Sequence, residues 1–130
     1  MFWKDPVLGE LTRSLDTSAL RQKVIANNIA NLNTPGYKRS YVPFDEELHQ
    51  ARIRLSLTRT HPRHLAGTDP GGDPRVVTER GTTRRTDESN VDLDQEMLDL
   101  VTNQLRYNTL IQQVNGKFAN WRYIITEGRS

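Results

Sequence analysis

Apolar residues spaced alternately three and four positions apart run through the last third of the chain. The repeat is unbroken, and its fourth member alone is polar: Leu93, Met97, Leu100, Gln104, Tyr107, Ile111, Val114, Phe118, Trp121 and Ile125. This spacing is typical of a coiled-coil seam. Asp92 precedes the seam as a candidate N-cap, with Gln95 three residues later. The pattern predicts a long C-terminal helix that begins after Asp92 and extends to about Thr126.

A similar seam marks the first third of the chain. Its apolar members are Leu8, Leu11, Leu15, Ile25, Ile29 and Leu32, and the same face carries Ser18 and Gln22. Because Pro6 stands where a first helical turn tolerates it, the spacing predicts a helix over about 6–32. The asparagines near the end of this segment have weak helix propensity, so tight packing or hydrogen bonds must hold them there.

The Thr-Pro-Gly-Tyr sequence at 34–37 is predicted to end this first helix. Pro35 disfavours helical geometry in the residue before it, and Pro-Gly suits the centre of a type II turn in which Gly36 has a positive φ. Residues 38–42 are then expected to be extended. A short amphipathic helix is predicted over about 44–57, where acidic residues occupy the first turn.

Glycine and proline supply seven of the 21 residues from 61 to 81, a composition that predicts an irregular loop. At its C-terminal end, residues 76–78 and 82–83 are expected to form a small hairpin around Arg80 and Gly81. The predicted fold is therefore mainly α, with long N- and C-terminal helices that pair as an antiparallel coiled coil. We divide this discontinuous helical domain into an N-terminal segment over 1–60, an irregular loop over 61–89 and a C-terminal helix over 90–130.

The amount of apolar material and its position predict assembly with other molecules. Hydrophobic residues make up 35% of the 130 residues and charged residues 26%, so an isolated globule of this length is short of core. Further apolar residues lie off the main seam of the C-terminal helix: Leu98, Val101, Leu105 and Leu110. Two paired helices bury one face each, and these residues require another partner. We expect the free monomer to be poorly ordered at both ends.

Net charges of 0, +5 and −3 for residues 1–51, 52–85 and 86–130 place an arginine-rich segment in the middle of the chain. Its arginines are Arg52, Arg54, Arg59, Arg63, Arg75, Arg80, Arg84 and Arg85. No aromatic residue lies among them to stack on bases, and no predicted recognition helix carries them. A nucleic-acid-binding module is therefore the weaker alternative, and we expect no nucleic acid among the partners.

The sequence offers little for catalysis or metal binding. The absence of cysteine excludes disulfides and thiolate chemistry. His61 and His64 lie in a proline-containing stretch without a third ligand, and the acidic residues from Asp92 onward resemble a calcium loop whose sixth position is Met97 instead of glycine. We expect no catalytic residue, no cofactor, no metal site and no small-molecule substrate. We also expect no membrane span and no cleaved signal segment.

The stretch Gln-Lys-Val-Ile-Ala-Asn-Asn-Ile-Ala-Asn-Leu-Asn-Thr-Pro-Gly-Tyr at 22–37, followed by Lys-Arg, resembles the N-terminal signature of flagellar rod, hook and hook-associated axial proteins. The core of the match is Asn28, Ile29, Ala30, Asn31, Thr34, Pro35, Gly36 and Tyr37. The shortness of the chain, Arg-His-Leu at 63–65, and the stretches 90–97 and 103–107 resemble one short proximal rod protein of this family, with the other short proximal rod protein as the nearest alternative. The resemblance covers about 8–48 and 90–129.

The resemblance implies a structural role without catalysis. Terminal helices of this family pair antiparallel and pack with those of neighbouring subunits into a tube, which passes torque and joins the membrane ring and export apparatus to the rest of the rod. The implied partners are copies of the chain, other flagellar rod proteins, membrane-ring and rod-adaptor proteins, and the type III export gate. The implied location is the periplasm-spanning rod of the basal body, reached from the cytoplasm without a cleaved signal peptide.

Phe44 and Leu48 match a pattern of phenylalanine and an apolar residue four positions later. This pattern resembles the gate-recognition element of early axial substrates. Apolar residues four positions apart are also common on helices that pack against a core. Export recognition and plain helix packing therefore remain as alternatives for these two side chains.

Overall fold

The computed structural model describes residues 5–56, 74–83 and 88–128. Its elements in chain order are α1 (Pro6–Ala30), β1 (Ser40–Tyr41), α2 (Phe44–Ser56), β2 (Val77–Thr78) and α3 (Leu93–Glu127). The protein is mainly helical, with long helices near both ends and a small sheet between them, as the sequence predicted. Most of the predicted 61–81 loop lies outside the described residues. Among the helices of the described part, none has the length and apolarity that crossing a membrane requires.

Both long helices begin at an aspartate. The Asp5 carboxylate accepts hydrogen bonds from the backbone N–H groups of Val7 at 2.9 Å and Leu8 at 3.4 Å, which have no partner within the helix. Asp92 accepts from the N–H groups two and three residues later, at 3.1 and 3.4 Å. The N-cap predicted at Asp92 is confirmed.

Contacts at the two ends of α1 show that α1 and α3 run antiparallel. Near its start, Asp5 Oδ2 lies 3.1 Å from Lys117 Nζ. Near its end, Asn28 Nδ2 donates to Glu96 Oε2 at 3.1 Å. Burial by itself raises the pKa of the Asp5 carboxyl. Lys117 and the two capping amides lower this pKa by a larger amount, so it lies below its ordinary value. At 35 residues against 25, α3 is longer than α1 by about 15 Å.

The buried faces of α1 and α3 both extend beyond the predicted seams. The α1 seam residues are buried or half-buried, Ser18 and Gln22 included, but residues one position before seam members are buried as well: Thr17, Arg21, Val24 and Asn28. Within the described residues 93–127, the buried residues of α3 are Glu96 and Asn103, each one position before a predicted seam residue. Because one residue turns an α-helix by about 100°, the two fully buried side chains of α3 are polar, and the apolar seam residues beside them are at most half-buried.

The apolar seam of α3 is only partly covered in consequence. Four of its members are half-buried: Leu100, Ile111, Val114 and Trp121. The remaining six are exposed: Leu93, Met97, Gln104, Tyr107, Phe118 and Ile125. The α1–α3 pair therefore leaves an apolar stripe in contact with solvent, a feature that marks interaction surfaces on proteins.

The sheet pairs β1 with β2 in antiparallel register, with Ser40 opposite Thr78 and Tyr41 opposite Val77. The hairpin predicted between 76–78 and 82–83 is therefore wrong. Thr82 is engaged elsewhere, because its carbonyl accepts from Lys38 Nζ at 2.7 Å. Hydrogen bonds to residues 38–41 therefore replace the predicted pairing between 76–78 and 82–83.

The turn at 34–37 has the predicted conformation. Gly36 has a φ of 71°, and the backbone N–H of Tyr37 donates to the carbonyl of Thr34 at 3.2 Å. A side chain at this φ is strained, even though a Cβ placed on Gly36 meets no atom within 4 Å. The glycine is therefore required by backbone conformation and not by lack of space.

Replacing Gly36 by valine is expected to lower the free energy of unfolding by about 1–2 kcal/mol, because a β-branched residue resists positive φ. Urea unfolding followed by circular dichroism measures the change. Gly81→Val is the matched control, since Gly81 also has open space around it and its φ lies outside the left-handed region. Equal stability of the two variants would contradict the requirement for positive φ at Gly36.

Candidate functional site

Asn28, the first residue of the family-like motif, is fully buried where α1 meets β1. Its Nδ2 donates to the carbonyl of Ser40 at 2.7 Å, and its Oδ1 accepts from the N–H of Ser40 at 3.0 Å. The side-chain amide thus makes the pair of hydrogen bonds that a neighbouring strand residue would make. Tyr37 Oη also donates to Oδ1, at 3.4 Å. This explains an asparagine within a helix, as the sequence analysis required.

Glu96 of α3 supplies a fully buried carboxylate next to Asn28. Arg39 Nε donates to its Oε1 at 2.8 Å, and Arg39 also forms ion pairs with Glu79 at 3.2 Å and Asp99 at 3.6 Å. A buried charge requires such partners, since its hydration is lost. Burial by itself lowers the pKa of Arg39. Glu96 and Glu79 raise this pKa by a larger amount, so it lies above its ordinary value.

Asn90 links the same arginine to the middle of the chain. Its Oδ1 accepts from the backbone N–H of Arg39 at 2.6 Å, and its Nδ2 donates to the carbonyl of Glu79 at 2.7 Å and to Thr82 Oγ1 at 3.0 Å. We call Asn28, Arg39, Glu79, Asn90 and Glu96 the polar cluster. It fastens the end of α1, the β1–β2 sheet and the start of α3 to one another.

The rest of the family-like motif forms the exit from α1. Asn31 Nδ2 donates to the carbonyl of Asn27 at 2.8 Å, and Thr34 Oγ1 donates to Asn31 Oδ1 at 3.2 Å. Ile29 is half-buried, whereas Ala30 and Pro35 are exposed. The motif thus combines one buried anchor with a hydrogen-bonded helix end.

Asn103 lies in the middle of the α1–α3 contact and is almost fully buried. Its Nδ2 donates to the carbonyl of Ser18 at 2.9 Å and to Gln22 Oε1 at 3.0 Å. In the described part of the chain, its Oδ1 has no hydrogen-bond partner. A single buried polar residue of this kind lowers the stability of a helix pair while favouring one register.

Replacing Asn103 by leucine is expected to raise the free energy of unfolding by about 1 kcal/mol, because the variant removes a buried acceptor without a partner and keeps a similar volume. Urea unfolding measures the change. Gln104→Leu is the control, since Gln104 is the exposed neighbour and gains no burial. A lower stability of Asn103→Leu than of the wild type would show that the two bonds to α1 outweigh the unpaired oxygen.

Phe44 and Leu48 are the first and fifth residues of α2, and their side chains are 40% and 49% exposed. The guanidinium of Arg106 lies 4.2 Å from the centre of the Phe44 ring, and that of Arg21 lies 5.9 Å away. Arg21 is held in place by the carbonyl of Val42 at 3.3 Å. Phe44 therefore lies at the surface within cation–π distance of two arginines instead of filling a core.

Several apolar side chains on α3 are exposed. Leu98 is 60% exposed and Leu105 is 63% exposed, and Val101 between them is exposed as well. Leu105, Leu110 and Phe44 line an open groove of about 370 Å³ between α1, α2 and α3. These are the off-seam residues for which the sequence analysis required a further partner.

The remaining candidates from the sequence are the possible metal ligands and the arginines of the middle segment. Within residues 5–56, 74–83 and 88–128, no group of three or more metal-ligating side chains is placed to hold an ion. His61 and His64 lie outside the described residues. Among the arginines of the middle segment, Arg52, Arg75 and Arg80 are exposed. The structure does not describe Arg59, Arg63, Arg84, Arg85 or the side chain of Arg54.

Sequence reasoning missed most of the polar cluster. It assigned the buried face of α3 to Met97 and Gln104, whereas Glu96 and Asn103 are buried. A signal was present, because Glu96 and Asn103 are seven residues apart and thus share a helix face. Polar residues beside an apolar seam are predicted to face solvent unless their hydrogen-bond partners are known.

Comparison with known proteins gives consistent similarities. A family model described as "Flagella basal body rod protein" matches residues 13–38. A flagellar basal body rod protein FlgB from Bacillus subtilis is 37% identical over 122 residues, which cover 94% of this chain and 95% of that protein. Proteins of the same description from Borrelia hermsii and Borreliella burgdorferi are 40% and 36% identical, covering 83% and 75% of this chain and 88% and 79% of their own lengths.

Proposed function

The chain belongs to the FlgB family of flagellar basal body rod proteins, and we propose that it is a structural subunit of the proximal rod of the bacterial flagellum. The name shared by these relatives favours FlgB over the other short proximal rod protein. The observation that supports this proposal most strongly is the similarity to FlgB over 94% of the chain. The exposed apolar residues of α3 support the same role, because a subunit that polymerises needs uncovered contact surface.

The proposed mechanism is polymerisation without catalysis. The α1–α3 pair is one building unit, and the exposed seam of α3 completes coiled-coil packing against helices of neighbouring subunits. The segments 1–60 and 90–130 act together in this unit, bridged by 61–89. Repetition of apolar contacts, each stabilised by about 25 cal/mol for every Å² buried, then gives a stiff structure that transmits torque.

The proposed partners are copies of the chain, other flagellar rod proteins, and membrane-ring and rod-adaptor proteins. The proposed location is the periplasm-spanning rod of the basal body, where the subunit connects the membrane ring and export apparatus to the rest of the rod. Similarity to basal body rod proteins supports this assignment.

Deletion of the gene in its parent bacterium, followed by cryo-electron microscopy of isolated basal bodies, tests the proposed function. We expect cells without motility and basal bodies without a rod, both restored by a plasmid copy of the wild-type gene. A control plasmid that encodes the same chain with an early stop codon should restore neither. Motile cells with complete rods after deletion would contradict the proposal.

Phe44 and Leu48 are proposed to contact the type III export gate, because both are exposed on α2. Replacing Phe44 by alanine is expected to lower export several-fold, since the gate would lose an aromatic contact. The measurement is the fraction of the chain recovered outside the cytoplasm. Leu55→Ala is the matched control, as Leu55 is an equally exposed apolar residue of α2 outside the pattern. Equal export of both variants would favour plain packing.

A further inference from the structure

Glu88 has a backbone conformation that residues with a side chain disfavour. Its φ is 65°, and no other non-glycine residue in the described part of the chain has a positive φ. In this region the Cβ of an L-residue lies too close to the following carbonyl oxygen, so surrounding contacts must hold the conformation. The next three residues, 89–91, are each at most 2% exposed. The turn at Glu88 is therefore the point at which the chain enters the interior.

The ammonium group of Lys38 holds this turn. Its Nζ donates to the carbonyl of Glu88 at 2.6 Å, to the carbonyl of Thr82 at 2.7 Å and to Thr83 Oγ1 at 3.4 Å. These three bonds use all three donors of the ammonium. All three acceptors are uncharged and two are backbone carbonyls, so the contact fixes the path of the main chain instead of neutralising a carboxylate.

The residues on either side of Lys38 hold the next part of the chain. The carbonyl of Tyr37 accepts from the N–H of Asn90 at 3.4 Å, and the N–H of Arg39 donates to Asn90 Oδ1 at 2.6 Å. Asp92, the N-cap of α3, follows two residues later. Three successive residues after the exit from α1 therefore hold the chain just before α3 begins.

The point at which α3 begins determines which of its residues meet α1. Glu96 bonds to Asn28, and Asn103 bonds to the carbonyl of Ser18. If α3 slipped by one helical turn, about 5.4 Å, both of these polar contacts would break. Apolar contacts would largely survive the slip, because the seam residues repeat every three or four positions. The apolar residues alone therefore do not specify one register.

We infer that Lys38 is a positioning residue that sets the register of α3 against α1. Its ammonium holds the turn at Glu88, and the turn fixes the place from which α3 starts. The buried polar contacts of α3 then form in one alignment of the two helices. The inference goes beyond the proposed function, because it concerns how a single chain reaches its own shape.

Spin labels measure this register directly. The chain has no cysteine, so cysteines introduced at Ala26 and Gln112, both exposed, carry the labels on α1 and α3 of the full-length chain. Pulsed electron paramagnetic resonance gives the distance between the labels. We expect one distance in the otherwise wild-type chain. Lys38→Met should show a second distance that differs by about 5 Å, because methionine has a similar length but donates no hydrogen bond. Hydrogen exchange at the Asn90 amide should become about tenfold faster.

Two further variants separate positioning from a general loss of stability. Lys117→Met is the matched control, since it removes an ammonium that also joins the two helices, through Asp5, at the far end of the pair. It should keep the single distance. Adding Glu88→Gly to Lys38→Met should restore most of the wild-type distance, because glycine adopts positive φ without strain. This double variant also provides the test if Lys38→Met alone does not fold.

Three outcomes would overturn the inference. The first is a single wild-type distance in Lys38→Met together with unchanged exchange at Asn90. The second is an equal population of the second distance in Lys117→Met, which would show that loss of any ammonium contact lets the helices slip. The third is a Lys38→Met/Glu88→Gly chain that does not fold or that slips as much as Lys38→Met, which would show that Lys38 does not act through the turn.

Discussion

Replacing Arg39 by leucine is expected to lower the free energy of unfolding by about 3–5 kcal/mol, the range measured when one partner of a buried ion pair is removed. The variant leaves the Glu96 carboxylate fully buried with Asn28 Nδ2 as its hydrogen-bond donor within the described residues. It also removes the ion pairs of Arg39 with Glu79 and Asp99. Urea unfolding followed by circular dichroism measures the loss, and hydrogen exchange at the Ser40 amide reports it locally.

Two further variants isolate the cause. Arg80→Leu is the matched control, because Arg80 is exposed in the same part of the fold and should change stability by less than about 0.5 kcal/mol. Combining Arg39→Leu with Glu96→Leu removes both charges and should recover part of the loss, since no buried charge is left without its partner. If Arg39→Leu unfolds at the same urea concentration as the wild type, Glu96 does not depend on Arg39.

Replacing Leu105 by aspartate is expected to abolish motility while leaving the isolated chain folded. Leu105 is 63% exposed, so an aspartate there remains hydrated in the monomer. In an assembled rod the same position would place a charge without a partner in an apolar contact. Swimming assays and images of basal bodies measure assembly, and circular dichroism measures the fold.

Gln112→Asp is the matched control, because Gln112 lies seven residues later on the same face of α3 and is already polar. It should support motility. Ile111 is a poorer choice for this experiment, since it is half-buried and an aspartate there would also lower the stability of the fold. Normal motility of Leu105→Asp would remove the outer face of α3 from the proposed contacts.

The elements that the sequence predicted correctly depend on local signals. Asp92 caps α3 through amides two and three residues away, and Gly36 adopts the positive φ that a Pro-Gly turn requires. The α1 seam was also predicted, because helical spacing places Ser18 and Gln22 on the face of its leucines. Such features need no knowledge of distant residues.

The missed features depend on partners that are far away in sequence. Arg39 bonds to Glu96 across 57 residues, and Asn28 reaches the same carboxylate across 68. A charged residue beside an apolar seam is expected to face water until such a partner is known. The hairpin prediction failed for the same reason, since Thr82 bonds to Lys38 and Asn90 instead of completing a local pair.

The polar cluster also determines the order in which the chain can close. Its last member, Glu96, lies near the beginning of the final helix, so the first 95 residues contain the arginine and the asparagine without the carboxylate that joins them. When the chain is delivered N terminus first, as from a ribosome, roughly three quarters of it must therefore emerge before Glu96 can complete the polar cluster. Closure of the domain also needs the rest of α3, because its contacts with α1 continue through Asn103 to Lys117.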